Sequence, residues 1–311
     1  MFRALMLIAG AAILLFALLI SGMLILGHLL PTKQLAYVSS QHHRSAIFLL
    51  DYYHRIQFEL IRDAYTPAWS PDGEKLAFYS TRDAGRDLYI MDVFGQHIQR
   101  LTKNGANNTS PSWSPDGREI AFASDYGNAF GIFTMSVDCN DRFELCATRI
   151  TPMDNFWYAD PAWSPDGKTI AFVSTKATTN AFDDTLGNAD IYIMNRDGTD
   201  SRRLTNNLGE DYTPSWSPDS RNLVYSAQNI QSRTMQLVIR DTQCADTANC
   251  SHLLFSDIVD VMPSWSADGS AIVFIDARDG NFEMYSTDTE GRYLQRLTYN
   301  NTDESSPRWR P

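Results

Sequence analysis

The 311-residue chain carries 26 Lys+Arg against 37 Asp+Glu, a net charge of −11, with 43% hydrophobic and 20% charged residues. That balance excludes a phosphate-tracking surface, so nucleic acid is not an expected partner. The apolar content is too high for a disordered chain, and the length suits one large domain.

The first predicted element is apolar all round. Ala4 to Leu30 has no charged side chain, and 27 residues at about 1.5 Å each span a hydrocarbon core of roughly 30 Å. A cleavable leader has an apolar region of about 7–15 residues before a small-x-small site. This run is longer and is followed by Leu29-Leu30-Pro31-Thr32, so residues 1–32 are predicted to be a retained transmembrane anchor. Arg3 before it and Lys33 and Arg44 after it leave its orientation open.

From Gln34 onward the chain reads as short strands. QLAYVSS, AIFLLD and QFELI come first, and then one phrase recurs: TPAWSPDG, PSWSPDG, PAWSPDG, PSWSPDS, PSWSADG and a closing PRWRP. Their tryptophans are Trp69, Trp113, Trp163, Trp216, Trp265 and Trp309, at steps of 44, 50, 53, 49 and 44 residues. A period of that length with strand-like segments between copies marks a β-propeller of four-stranded blades. In the Trp69 repeat, TPAWS is an inner strand, PDG a turn and KLAFYS a second strand. LYIMDV is the third strand and IQRLT the fourth. The turn has a mechanism: Pro presets φ, Asp bonds its own backbone and Gly takes positive φ. Each Trp is expected to fill the wedge between blades.

The ends set the blade count. Three strands precede the first repeat and one follows the last, so joining them completes a sixth blade and leaves no open edge. Residues 33–311 are therefore predicted to form an all-β, six-bladed propeller closed by both termini.

Four cysteines fall in two close pairs, Cys139 with Cys146 and Cys244 with Cys250, each flanking the turn between a third and a fourth strand. Hairpin geometry brings such positions within disulfide reach. The spacings do not suit zinc. Disulfides place the domain in an oxidising space, outside the cytosol.

Repeats of the form PxWSPDGxxIAFxS…DIYxMxxDGxxxxxLT resemble those of the TolB-type propellers, and residues 167–205 follow the pattern nearly throughout. The resemblance covers 34–311 and implies a six-bladed propeller in an envelope setting. In TolB itself a small α/β domain precedes the propeller, and the protein interacts with a peptidoglycan-associated lipoprotein. Here the apolar segment stands in that domain's place.

No GxSxG, HExxH, Walker or GxGxxG motif occurs. Of six histidines only His42 and His43 approach a channel mouth, and adjacent residues on an extended chain point apart. No catalytic residue, metal site or resident cofactor is predicted. The residue three before each repeat's Pro is Ala64, Asn108, Tyr158, Asp211, Asp260 or Glu304. Three successive carboxylates, with Asp160 and Asp303 near them, predict an acidic arc on one face. It would take a cation such as Ca²⁺ or a basic partner, or else consist of solvated loop acids.

Two loops on that face depart from the repeat: 153–160, with Phe156, Trp157 and Tyr158, and the long 175–190. Exposed aromatics beside hydrogen-bonding loops mark partner surfaces. The expected function is a membrane-anchored, extracytoplasmic interaction module docking an envelope or membrane protein. The alternatives are a lyase or hydrolase of saccharides or lactones and a small-ligand sensor.

Overall fold

Each Trp-Ser-Pro-Asp-Gly phrase folds as one turn held by its own side chains. Ser70 Oγ donates to Asp72 Oδ1 (2.5 Å), the Glu74 N–H donates to the same oxygen (3.0 Å), and the Lys75 N–H donates to Ser70 Oγ (2.9 Å). Gly73 closes the turn at φ 69°. The Ser–Asp bond recurs at Ser114, Ser164, Ser217 and Ser266.

The computed structural model describes residues 33–41, 44–83, 85–139, 143–176, 188–244, 250–259 and 261–311. The predicted anchor, His42, His43, Asp260 and most of the loop 175–190 lie outside these residues. Among the described residues no helix is long and apolar enough to cross a membrane.

Among the described residues twenty-four strands, numbered β1 to β24 in chain order, make six four-stranded antiparallel sheets. Blades are numbered here by their tryptophans, from Trp69 (blade 1) to Trp309 (blade 6). Blade 1 runs outward from β4 (Ala64–Trp69) through β5 (Lys75–Ser80) and β6 (Asp87–Asp92) to β7 (Gln99–Arg100). Blade 6 has the order β24 (Asp303–Trp309), β1 (Gln34–Gln41), β2 (Arg44–Asp51), β3 (Gln57–Arg62). Both termini close the ring, as the strand count requires. The pairs Leu35↔Trp309 and Ser40↔Asp303 bound the seam.

The predicted fourth strand IQRLT shrinks to Gln99–Arg100 because a side chain takes over the ladder. Thr102 Oγ1 accepts from the Leu88 N–H (2.9 Å), and Arg100 Nε turns back to the Thr102 carbonyl (2.9 Å).

Among the described residues the buried apolar side chains divide among six wedges between blades. Second strands are covered on both faces, so Leu76, Ala77 and Phe78 are all fully buried. Leu76 and Phe78 pack with Trp69 toward blade 6, whereas Ala77 joins the cluster holding Trp113 of blade 2. The small residue leaves room for the neighbour's indole. Beside such an alanine Trp113 Nε1 reaches the Ala68 carbonyl (3.1 Å) and Trp216 Nε1 the Ala162 carbonyl (3.0 Å), while Trp163 Nε1, beside Ala121, finds no partner among the described residues. Across the seam, Trp69 Nε1 donates to the Arg308 carbonyl (3.2 Å). Blade 4 has Val224 in this place, and Trp265 beside it is half-buried and bonds Gly269 of its own turn (3.3 Å), whereas Trp309 stays buried beside Val273 of blade 5. The six tryptophans are thus wedge residues, five of them buried.

Both disulfides form where predicted, with Cα–Cα distances of 5.9 Å for Cys139–Cys146 and 5.7 Å for Cys244–Cys250. The first pair brackets a short helix, α1 (Phe143–Cys146). Closing such short loops stabilises by about 2 kcal/mol each. Reduction of both is expected to lower the melting temperature by roughly 8–16 °C, at about 2–4 °C per kcal/mol for a domain of this size. A melting curve unchanged by reductant would refute it.

Candidate functional site

The inner strands create the central site through a repeated distortion. In blades 1 to 4 the ladder to the second strand shifts register around the residue before Pro, as between Tyr65 and Ala68. That residue is Thr66, Ser110, Asp160, Thr213, Met262 or Ser306 in the six blades, and all six have φ between 38° and 53°. Non-glycine residues rarely take this conformation, β-branched threonine least of all. Its appearance six times over directs the side chains into one cavity of about 390 Å³ on the propeller axis. Strain of this kind persists only where the surrounding ladder over-determines it. The ring escapes a reading of the sequence three residues before Pro, because its side chains come from the residue next to Pro, whose ordinary bias is to extended rather than left-handed backbone.

One more side chain enters the cavity. The residue after Pro is Ala68, Ser112, Ala162, Ser215, Ser264 or Arg308. Five are small, and Ser112, Ser215 and Ser264 accept the backbone N–H of the next blade's Trp (3.0, 3.2 and 3.4 Å). Arg308 alone brings a charge, and it lines the same cavity as Asp160. Asp160 Oδ1 accepts from Ser110 Oγ (2.9 Å). Burial raises the Asp160 carboxyl above its ordinary range and lowers the Arg308 guanidinium, each opposed by the other's charge.

The two described members of the predicted acidic arc, Asp211 and Glu304, are not surface groups. Asp211 is 0% and Glu304 1% exposed, and they lie in separate wedges, between blades 3 and 4 and between blades 5 and 6. They do not converge on one cation, and Asp160 belongs to the axial ring instead. Asn207 Nδ2 donates to both Asp211 oxygens (2.9 Å each), and Asn300 Nδ2 donates to Glu304 Oε1 (2.6 Å). Burial pushes both carboxyls up to about 7, the rise enlarged by Asp190 beside Asp211 and by Glu283 beside Glu304. These neighbours begin third strands and pair with Arg203 (2.7 Å) and Arg296 (2.8 Å). Blade 1 has the same unit, Asp87 with Arg100 (2.6 Å), but Asn108 replaces the second acid and exchanges amide bonds with Asn104. The recurrent Arg-x-Thr of the fourth strands and an Asn four residues before each of these positions were the sequence signals for this network.

Of the aromatic trio, Tyr158 is buried and donates to Asp154 Oδ2 (2.8 Å), and Phe156 packs on the wedge of blades 2 and 3. Trp157 alone is exposed, at 37%, with its backbone tied to Thr175 at both N–H and carbonyl. Similar apolar side chains stand on the next loops that enter inner strands: Leu208 (82% exposed), Val259 (58%) and Tyr299 (72%). Gly209 presses its loop so close to Gln228 that a Cβ would lie 2.0 Å from that carbonyl oxygen, which leaves Leu208 outward. Four successive blade junctions thus present an apolar residue on one face. Asp303 is exposed on the same face.

The family description "TolB beta propeller domain" matches residues 30–186 and 183–311. The chain belongs to the TolB beta propeller family. Among solved structures, TolB from Acinetobacter baumannii superposes with a TM-score of 0.75 at 20% identity, covering 90% of this chain and 67% of that one. A putative TolB from Agrobacterium tumefaciens gives 0.65 at 20% identity, covering 86% and 89%. An oligogalacturonate lyase in complex with manganese gives 0.56 at 17% identity, covering 83% and 71%. These likenesses establish the fold and leave the activity of this TolB-type propeller open, since one scaffold serves both kinds of neighbour. No curated protein sequence matches the chain.

Proposed function

We propose that this TolB-type propeller is a non-enzymatic docking module, held at the membrane through residues 4–30 with the propeller on the extracytoplasmic side. It would join an envelope or membrane protein to a larger assembly. The observation that carries the reading is the run of exposed Trp157, Leu208, Val259 and Tyr299 on four neighbouring loops of one face. Aromatic and aliphatic side chains presented on pinned loops are what a partner desolvates when it binds. The two disulfides support an oxidising compartment. With Asp211 and Glu304 removed from the surface, the docking relies on apolar contact rather than on charge steering.

Purification of the full chain in mild detergent, with mass spectrometry of co-eluting proteins, tests this. Trp157→Ala is expected to raise the dissociation rate of the recovered partner by the equivalent of about 1–3 kcal/mol. Leu208→Asp with Tyr299→Asp should abolish recovery without altering the melting curve. Undiminished recovery with all three changes removes this face from consideration. Turnover of a saccharide or lactone by the purified chain would favour the enzyme reading instead.

A further inference from the structure

Asp160 sits on the inner strand of blade 3 and Arg308 on that of blade 6. In a six-bladed ring these blades are three apart, so the two charges face each other across the axis. They stand more than 4.0 Å apart and line the same cavity of about 390 Å³. Neither is otherwise compensated. Among the described residues Asp160 has one hydrogen bond, from Ser110 Oγ (2.9 Å), and the Arg308 guanidinium has one, from Nη1 to the Pro307 carbonyl (2.9 Å). Among the described residues Asp160 Oδ2 and Arg308 Nε and Nη2 have no protein partner. Around them the ring supplies the hydroxyls of Thr66, Ser110, Thr213 and Ser306 and the thioether of Met262.

Both side chains are only partly exposed, and two opposite charges recessed in one cavity but held out of contact recover little of the hydration they lose there. A molecule that fills the gap with the complementary charges at its two ends satisfies both. One that carries a single charge leaves the other unpaired. We propose that the axial cavity is a binding site for a small zwitterion of the amino-acid type, its ammonium group on Asp160 and its carboxylate on Arg308. The site keeps its net charge on binding, and the carboxylate meets a guanidinium suited to bidentate hydrogen bonding. This site lies on the axis and is independent of the loops proposed for docking.

The test uses the full chain in detergent at fixed ionic strength, titrated calorimetrically with glycine, β-alanine, 4-aminobutyrate and 6-aminohexanoate. Acetate and methylammonium serve as single-charge probes. One member of the amino-acid series is expected to bind at least about tenfold more tightly than either single-charge probe, its length reporting the gap between the two groups. Asp160→Asn and Arg308→Gln should each remove about that factor. Equal response to all six probes, or no response to any, overturns the proposal, and so does zwitterion binding that survives both substitutions. The comparison of probes on the unaltered chain decides the matter even if a variant fails to fold.

Discussion

Deleting residues 303–311 is expected to abolish the cooperative thermal transition of the propeller. The segment is the inner strand of blade 6, laddered to β1 from Leu35↔Trp309 to Ser40↔Asp303. Its loss bares Leu35, Tyr37 and Leu50, which are 0–1% exposed in the closed ring. It also removes Trp309 from the wedge with blade 5, and the Arg308 carbonyl that anchors Trp69 of blade 1. Truncating a buried Trp alone costs about 3–5 kcal/mol, and a domain's whole net stability is about 5–15 kcal/mol. Two wedges therefore fail together. Circular dichroism melts of the truncated and intact chains provide the check, with Trp309→Ala as an intermediate expected to lose about 3–5 kcal/mol. A truncated chain that melts cooperatively within a few degrees of the intact one would show that the seam is not what closes the fold.

Raising the pH from 5 to 8 is expected to destabilise the propeller, the reverse of acid denaturation. Asp211 and Glu304 have carboxyl pKa values pushed up to about 7 by burial, against about 4 in an unfolded chain. The folded state thus binds more protons between these values. The stabilisation is fully present below the unfolded pKa and is lost as the pH rises through about 7. The expected loss is about 2 kcal/mol per group. Turn carboxylates such as Asp72, Asp116 and Asp219, held low by the Ser hydroxyls that bond them, titrate below this window. Denaturant titrations at pH 5 and 8 measure the difference. Asp211→Asn with Glu304→Gln should raise stability at pH 8 and flatten the profile, since Asn108 already fills the corresponding place in blade 2. A wild-type profile that is flat or rises over this range would contradict it.

The ring, its blade count and its closure were all legible in the residues, because each depends on local chemistry repeated at a fixed period. Pro-Asp-Gly stops a strand wherever it occurs, Ala beside a large residue makes room for a neighbour's Trp, and three strands plus one make four. The disulfides were legible for the same reason: each joins two ends of a single hairpin turn.

The candidate site was not, because it depends on which way a side chain turns after a distortion no local rule specifies. Counting three residues back from Pro found Asp211 and Glu304, and their common position in the repeat suggested one exposed face. The left-handed residue before each Pro shifts the ladder, and it is Asp160, with Arg308 from the far end of the chain, that reaches the axis. Trp157 kept its exposure while Phe156 and Tyr158 turned into the wedge. Sequence determined the period, and so the architecture. Only closure of the ring decided which carboxylates are dry and which charges face one another, because burial belongs to two neighbouring blades and opposition to blades 3 and 6, and neither to one blade alone.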